Sequence, residues 1–207
     1  GMVFTTGPTG SGKTTTLYAF LKKVHTSEVK IITIEDPIEY ILPGIVQTPV
    51  GPGYSFADGL RSALRQDPDV IMVGEVRDAE AASIAINASL TGHLVFSTLH
   101  TNSAAGTFPR LIDLGVNPKV ISSAVNLALA QRLVRVLCAK CKKAAPLEPK
   151  ERERAERLAK KLGAIGISVP KTTERFVPSG ANCTVCAGTG FSGRIGIFEA
   201  ILVDEKI

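Results

Sequence analysis

The 207-residue sequence contains no tryptophan, and aromatic residues make up only 5% of it. Its core must therefore be built mainly from Ile, Val, Leu and Ala, and the stacking rings that hold single-stranded nucleic acid are in short supply. No apolar stretch approaches the 18 or more residues of a membrane span. No secretory leader is visible either. A large excess of one charge is also missing: 24 Lys and Arg against 19 Asp and Glu leave +5, with the signs mostly alternating. That is a weak footprint for nucleic acid, and none is expected as a partner. Cysteine is scarce, with four in all. What remains is an ordinary globular composition, 44% apolar and 21% charged. The length suffices for one substantial core plus a small appendage.

Up to residue 136 short apolar runs alternate with helical stretches. Strands are expected at 3–6, 30–35, 70–74, 94–98 and 133–137, and helices at 13–25, 55–65, 79–90, 103–114 and 119–130. This alternation predicts a parallel α/β sheet. Ser55 and Asp78 stand where N-caps belong. Residues 43–54, with Pro and Gly, read as a loop or short edge hairpin. The composition changes after 137, where 150–161 is almost all charged. Ala155, Leu158, Ala159 and Leu162 fall on one face of a helix there, so it is expected to pack a single stripe. Residues 1–137 are thus read as the core domain and 138–207 as an appended subdomain with a C-terminal strand. The chain opens on a core-like strand and stops just after another, so a fragment is expected.

Gly7-Pro8-Thr9-Gly10-Ser11-Gly12-Lys13-Thr14 fits G-x-x-x-x-G-K-[ST] between an apolar strand and a helix. The glycines let the backbone turn its N–H groups toward a β-phosphate, and the helix start adds positive dipole. Lys13 can reach the β- and γ-phosphates, and the Thr14 hydroxyl can hold Mg²⁺. ATP and Mg²⁺ are the cofactors this predicts. In a parallel sheet, ligands bind beyond the carboxyl ends of the strands. The polar groups at those ends are Glu35-Asp36, Glu75 and His100, and they should converge on the phosphate loop. ATP hydrolysis needs a water-positioning group and a Mg²⁺ shell, for which Glu35 and Glu75 are the candidates, in either order. Gly74 stands where the second nucleotide motif usually has Asp, which argues against direct Mg²⁺ ligation there. His100 either senses the γ-phosphate or satisfies its own loop.

The cysteines form two C-x-x-C pairs, Cys138/Cys141 and Cys183/Cys186. Two such knuckles supply a tetrahedral sulfur site that suits Zn²⁺. Disulfides or a redox pair are the alternatives, and a cytosolic ATPase disfavours them.

Together these residues resemble the motor ATPases of type II secretion and type IV pilus assembly. The phosphate loop continuing through Thr15-Thr16-Leu17-Tyr18 is one piece. Ile34-Glu35-Asp36-Pro37-Ile38-Glu39-Tyr40 resembles the family's Asp box. Leu64-Arg65-Gln66-Asp67-Pro68-Asp69 with Gly74-Glu75-Val76-Arg77-Asp78 resembles its Walker B region, and Thr91-Gly92-His93 through Ser97-Thr98-Leu99-His100-Thr101-Asn102 its His box. The resemblance implies a RecA-like P-loop NTPase fold, with helices on both faces of a parallel sheet and a small C-terminal zinc-binding subdomain. It implies Thr15 among the nucleotide contacts, Glu35 and Glu75 as catalytic acids, and His93 and His100 near nucleotide. It also implies a homo-hexamer, cytoplasmic and peripheral at the inner face of the cytoplasmic membrane, acting on secretion or pilus platform proteins. The paired cysteines point to the secretion and assembly branch rather than the retraction branch. The family's N-terminal domain, whose arginines reach a neighbour's nucleotide, is not in this sequence. The rival readings are a RecA-like nucleic-acid translocase and a nucleotide-gated adaptor without turnover.

Overall fold

Ile31–Glu35 is buried at all five positions, so it needs strands on both edges and helices on both faces. The computed structural model describes residues 1–170 and 173–204. They fall into two compact units, Gly1–Leu133 with the described residues of Gly196–Ile207, and Val134–Ile195.

The first unit holds β1 (Met2–Thr6), β2 (Ile31–Glu35), β3 (Val46–Pro49), β4 (Val70–Val73), β5 (Leu94–Leu99) and the parts of β6 (Val125–Leu137) up to Leu133 and of β9 (Phe191–Leu202) from Gly196, and the strand order is β3-β2-β4-β5-β1-β6-β9. The pairs β1–β5, β1–β6, β2–β3, β2–β4 and β4–β5 are all parallel. The fold is thus the α/β, mostly parallel sheet that the sequence predicts. Side-chain alternation divides the core. Ile31, Val70, Met72 and Phe96 pack on one face with Leu17, Tyr18 and Leu21 of α1 (Lys13–Val24). Ile32, Ile34, Ile71, Val73 and Val95 pack on the other. That face is covered by α2 (Phe56–Leu64), α3 (Ala79–Leu90) and residues of α5 (Pro118–Ala124).

The predicted caps form. Ser55 closes a reciprocal capping box with Asp58, and the Asp78 carboxylate accepts the Ala81 N–H at 2.8 Å. Gly59 lets α2 lie close on β2, because a Cβ there would stand 2.6 Å from Cγ2 of the buried Ile34. Gly59→Ala would gain about 1 kcal/mol of helix propensity. Overpacking costs about 1–3 kcal/mol, so the urea midpoint is expected to fall. An unchanged midpoint would show that α2 can step back freely.

Four sequence expectations need correction. The helix expected over 119–130 ends at Ala124, and β6 begins at Val125. Ala and Leu favour helix in isolation, but pairing of Val3–Thr6 with Leu127–Ala130 overrides that preference. Residues 43–54 contain a parallel edge strand, not a hairpin, and Pro49 is tolerated at its end because that edge is open. The helix expected over 103–114 is shorter, α4 (Thr107–Asp113), because Ser103 closes a turn onto the Gly106 N–H. In the second unit, α6 (Pro149–Gly163) forms where the charged run predicted it, but it has no buried residue. Its expected packing stripe leaves Ala155 and Leu158 exposed and Ala159 and Leu162 only half-buried. The second unit also has a two-stranded antiparallel sheet, β7 (Lys143–Pro146) with β8 (Glu174–Val177). Arg175 joins it to the start of α6 through Glu148, at 2.7 Å, and Glu151.

Candidate functional site

β1 ends in the middle of the sheet, between β5 and β6, and the phosphate loop leaves it there. Gly12 takes a left-handed conformation, φ +88°, and no side chain caps the start of α1. The first backbone N–H groups of that helix are therefore left for a ligand. Ser11 Oγ is likewise buried without a protein partner. Lys13 folds back over the loop, donating to the carbonyls of Gly7 (2.9 Å) and Pro8 (3.2 Å), and burial lowers its pKa. A cleft of about 580 Å³ opens above, lined by Thr9–Thr15 of the loop and helix start and by the strand-end groups Glu35, Glu75 and His100. Gly7 and Pro8 are not among the lining residues and serve as the lysine's acceptors.

The strand ends are tied together. Gly74 N–H donates to Ile34 O at 2.8 Å, and Thr98 Oγ1 donates to Gly74 O at 2.8 Å. A Cβ on Gly74 would come within 3.3 Å of Ile34 O, so glycine at this position allows the close approach of β4's end to Glu35. Glu75 follows directly after Gly74. Its carboxylate accepts from His100 Nε2 at 3.0 Å and pairs with Arg77. Burial, then the nearby charges of Lys13, Arg77 and Arg110, lower the His100 pKa, which keeps its ring neutral near pH 7. Glu35 is 2% exposed and fully hydrogen-bonded. His93 is not with them. It precedes β5 where His100 follows it, roughly 20 Å away along the strand, and its Nδ1 lies 3.1 Å from Ala88 O at the end of α3.

In the second unit the Sγ atoms of Cys138, Cys141, Cys183 and Cys186 all lie within 4.8 Å of one another, and all four thiols are free. Cys138 and Cys183 are 4.0 Å apart, Cys141 and Cys186 3.7 Å. A tetrahedral Zn²⁺ with Zn–S bonds of ~2.3 Å needs S···S of about 3.8 Å. The arrangement fits a zinc ion, and neither sulfur pair is at bonding distance. Burial opposes ionisation of Cys186, but the Gly190 N–H at 3.2 Å and the neighbouring thiols outweigh it, bringing the thiol down to about 7.

A family model described as Type II/IV secretion system protein matches residues 1–207. The chain belongs to this family. It is 50% identical over 209 residues to type II secretion system protein E of Pectobacterium carotovorum, covering all of this chain and 39% of that protein. It is equally similar, with the same coverage, to the type II secretion system ATPase E of Vibrio cholerae. It is 46% identical to the type IV pilus assembly ATPase PilB of Thermus thermophilus, of which it covers 22%. The chain thus spans about two fifths or less of these relatives. Among solved structures, the Legionella pneumophila ATPase DotB superposes with a TM-score of 0.65 at 30% identity, covering all of this chain and 46% of that one. The pilus retraction motor PilT with bound ADP gives 0.62 at 39% identity, over 80% and 53%.

Three features of this family member were not visible as site residues in its sequence. Gln131 of β6 braces the phosphate loop. Thr16 Oγ1 donates to its Oε1 at 2.7 Å, and a Cβ on Gly7 or Gly12 would stand 2.3 Å from its carbonyl oxygen or 2.8 Å from its Nε2. Arg77 is the second; it lies between Glu75 and Asp36, 3.7 Å from the latter. The third is the Tyr18–Gln47 pair around Glu35. Each makes a contact far along the chain: Gln131 with Thr16, Arg77 with Asp36, and Tyr18 and Gln47 with Glu35.

Proposed function

We propose that this chain is the ATP-hydrolysing part of a hexameric motor that powers type II protein secretion or type IV pilus assembly. The observation that carries this reading is a single cleft gathering an uncapped phosphate loop, Lys13, Thr14, Glu35 and the Glu75–His100 pair. The loop's N–H groups and Lys13 hold the β- and γ-phosphates. The Thr14 hydroxyl would hold Mg²⁺, with a nearby carboxylate acting through the ion's waters, and the ion would neutralise phosphate charge. Glu75, next to a neutral His100, polarises the attacking water. Glu35 stands as a fixed negative charge beside it. Titration with a fluorescent nucleotide and a phosphate-release assay on the full-length protein test the reading, with sedimentation for the ring. Absence of ATP turnover in a sedimenting hexamer would sink it. Platform proteins at the cytoplasmic face of the membrane are the proposed partners. Among the described residues no helix is long and apolar enough to cross a membrane.

The four-cysteine cluster is proposed to hold one Zn²⁺. Metal analysis of purified protein should give close to one zinc per chain, and Cys183→Ser should lose it and loosen the second unit. ATP binding should survive that loss, because every residue lining the cleft lies at or before Leu133. Metal-free protein with oxidised cysteines would remove the zinc assignment.

A further inference from the structure

Glu35 ends β2 and is one of the residues lining the cleft, yet it is almost wholly buried. A buried carboxylate is costly unless its oxygens are hydrogen-bonded. Here every donor is another side chain. Tyr18 O–H donates to Oε2, while Thr33 Oγ1 (2.5 Å) and Gln47 Nε2 (3.0 Å) donate to Oε1. The donors come from three elements, α1, β2 and β3. Gln47 is itself fixed, since its Oε1 accepts the Leu42 N–H at 2.6 Å and its Nε2 lies 3.2 Å from Tyr40 O.

We propose that Tyr18, assisted by Gln47, is a positioning residue that clamps the Glu35 carboxylate to the helix carrying Lys13 and Thr14. The inference rests on the ATPase reading above. Tyr18 lies five residues beyond Lys13 on α1, one and a half turns along the same rigid rod. Any displacement of the phosphate loop by nucleotide therefore moves the phenol that holds Glu35. Burial and the adjacent Glu35 charge raise the Tyr18 pKa, so it remains an O–H donor at every working pH. With both oxygens engaged, Glu35 is suited to fix the geometry of water around the γ-phosphate and not to swing through a proton-transfer cycle. Glu75, whose partners His100 and Arg77 are both exposed, keeps the mobility that a base requires.

The test is Tyr18→Phe in the full-length protein. Phe keeps the ring in its apolar site among Leu17, Leu21, Ile31 and Met72, and keeps its edge-on contact with Tyr40. A misplacement of about 1 Å at a reacting centre costs up to about 10²-fold in rate. kcat is expected to fall at least about tenfold, with KM for ATP within about twofold of the parent. Gln47→Leu, at a half-buried site, should show the same split with a smaller fall. A Tyr18→Phe protein that turns over at the parent kcat overturns the clamp, as does one whose kcat loss merely follows a loss of folded protein on heating. If Tyr18→Phe does not fold, Gln47→Leu decides, and parent kcat in that variant likewise overturns the clamp. A parent protein that binds ATP but never hydrolyses it fails the ATPase reading instead, and the clamp with it.

Discussion

Lys13→Ala is expected to abolish ATP turnover and weaken nucleotide binding by about 10³-fold. In the structure Lys13 Nζ is satisfied by two carbonyls of its own loop, at 2.9 and 3.2 Å. That arrangement holds the ammonium at the loop through backbone carbonyls. When phosphates enter, the same cation sits near two or more negative oxygens. One unit pair at ~4 Å with an effective dielectric of ~20 contributes about 4 kcal/mol, which is about 10³-fold in binding. The loop's N–H groups and the start of α1 remain in the variant, so some residual binding is expected. Because the hydrogen bonds of Lys13 Nζ go to carbonyls of its own loop, the fold should be unaffected. Fluorescent-nucleotide titration gives the binding loss directly, and far-ultraviolet circular dichroism checks the fold. Binding at the parent affinity would show that the backbone cradle alone holds the triphosphate, and the role given to Lys13 would be wrong.

The phosphate loop was legible because its chemistry is local: eight consecutive residues fix the turn, the helix start and the cation. The convergence of Glu35, Glu75 and His100 followed from one topological rule, that ligands sit beyond the carboxyl ends of parallel strands. Helix α3 was predicted over the residues it occupies, with Asp78 read as its cap. What the sequence hid depends on partners remote in the chain. Val125–Ala130 carries helix-favouring Leu and Ala, and only the open edge of β1 makes it a strand. Val46–Pro49 is too short and too polar to signal a strand before β2 offers its edge. Gln131 and Tyr18 gave no sign as site residues, because a Gln in a strand and a Tyr in a helix are ordinary until Thr16 and Glu35 are seen against them. The apolar face of α6 was legible as a pattern, but the pattern alone did not show that the described residues leave it uncovered.

Glu75→Gln is expected to leave ATP affinity within a few-fold of the parent and to lower kcat by about 10²–10⁴, the range general-base catalysis supplies. The amide matches the carboxylate in size, and its carbonyl can still accept from His100 Nε2, now 3.0 Å from Glu75. Arg77 loses its nearer partner but keeps Asp36 within 3.7 Å. Neither Lys13 nor the loop backbone touches Glu75, so phosphate binding has no reason to weaken. What disappears is a carboxylate of the cleft whose protein contacts, His100 and Arg77, are exposed, movable side chains. Glu35→Gln provides the contrast. It should also lose rate, but it turns one carboxylate oxygen into an NH2 that cannot accept, so either Tyr18 or the Thr33–Gln47 pair loses its acceptor and the fold should be destabilised as well. Single-turnover phosphate release with saturating nucleotide separates chemistry from binding in both variants. Parent-like release from Glu75→Gln would refute the base assignment. Given that result, a Glu35→Gln protein that binds ATP, stays folded and releases no phosphate would move the base to the end of β2 and leave Glu75 as the partner that keeps His100 in place.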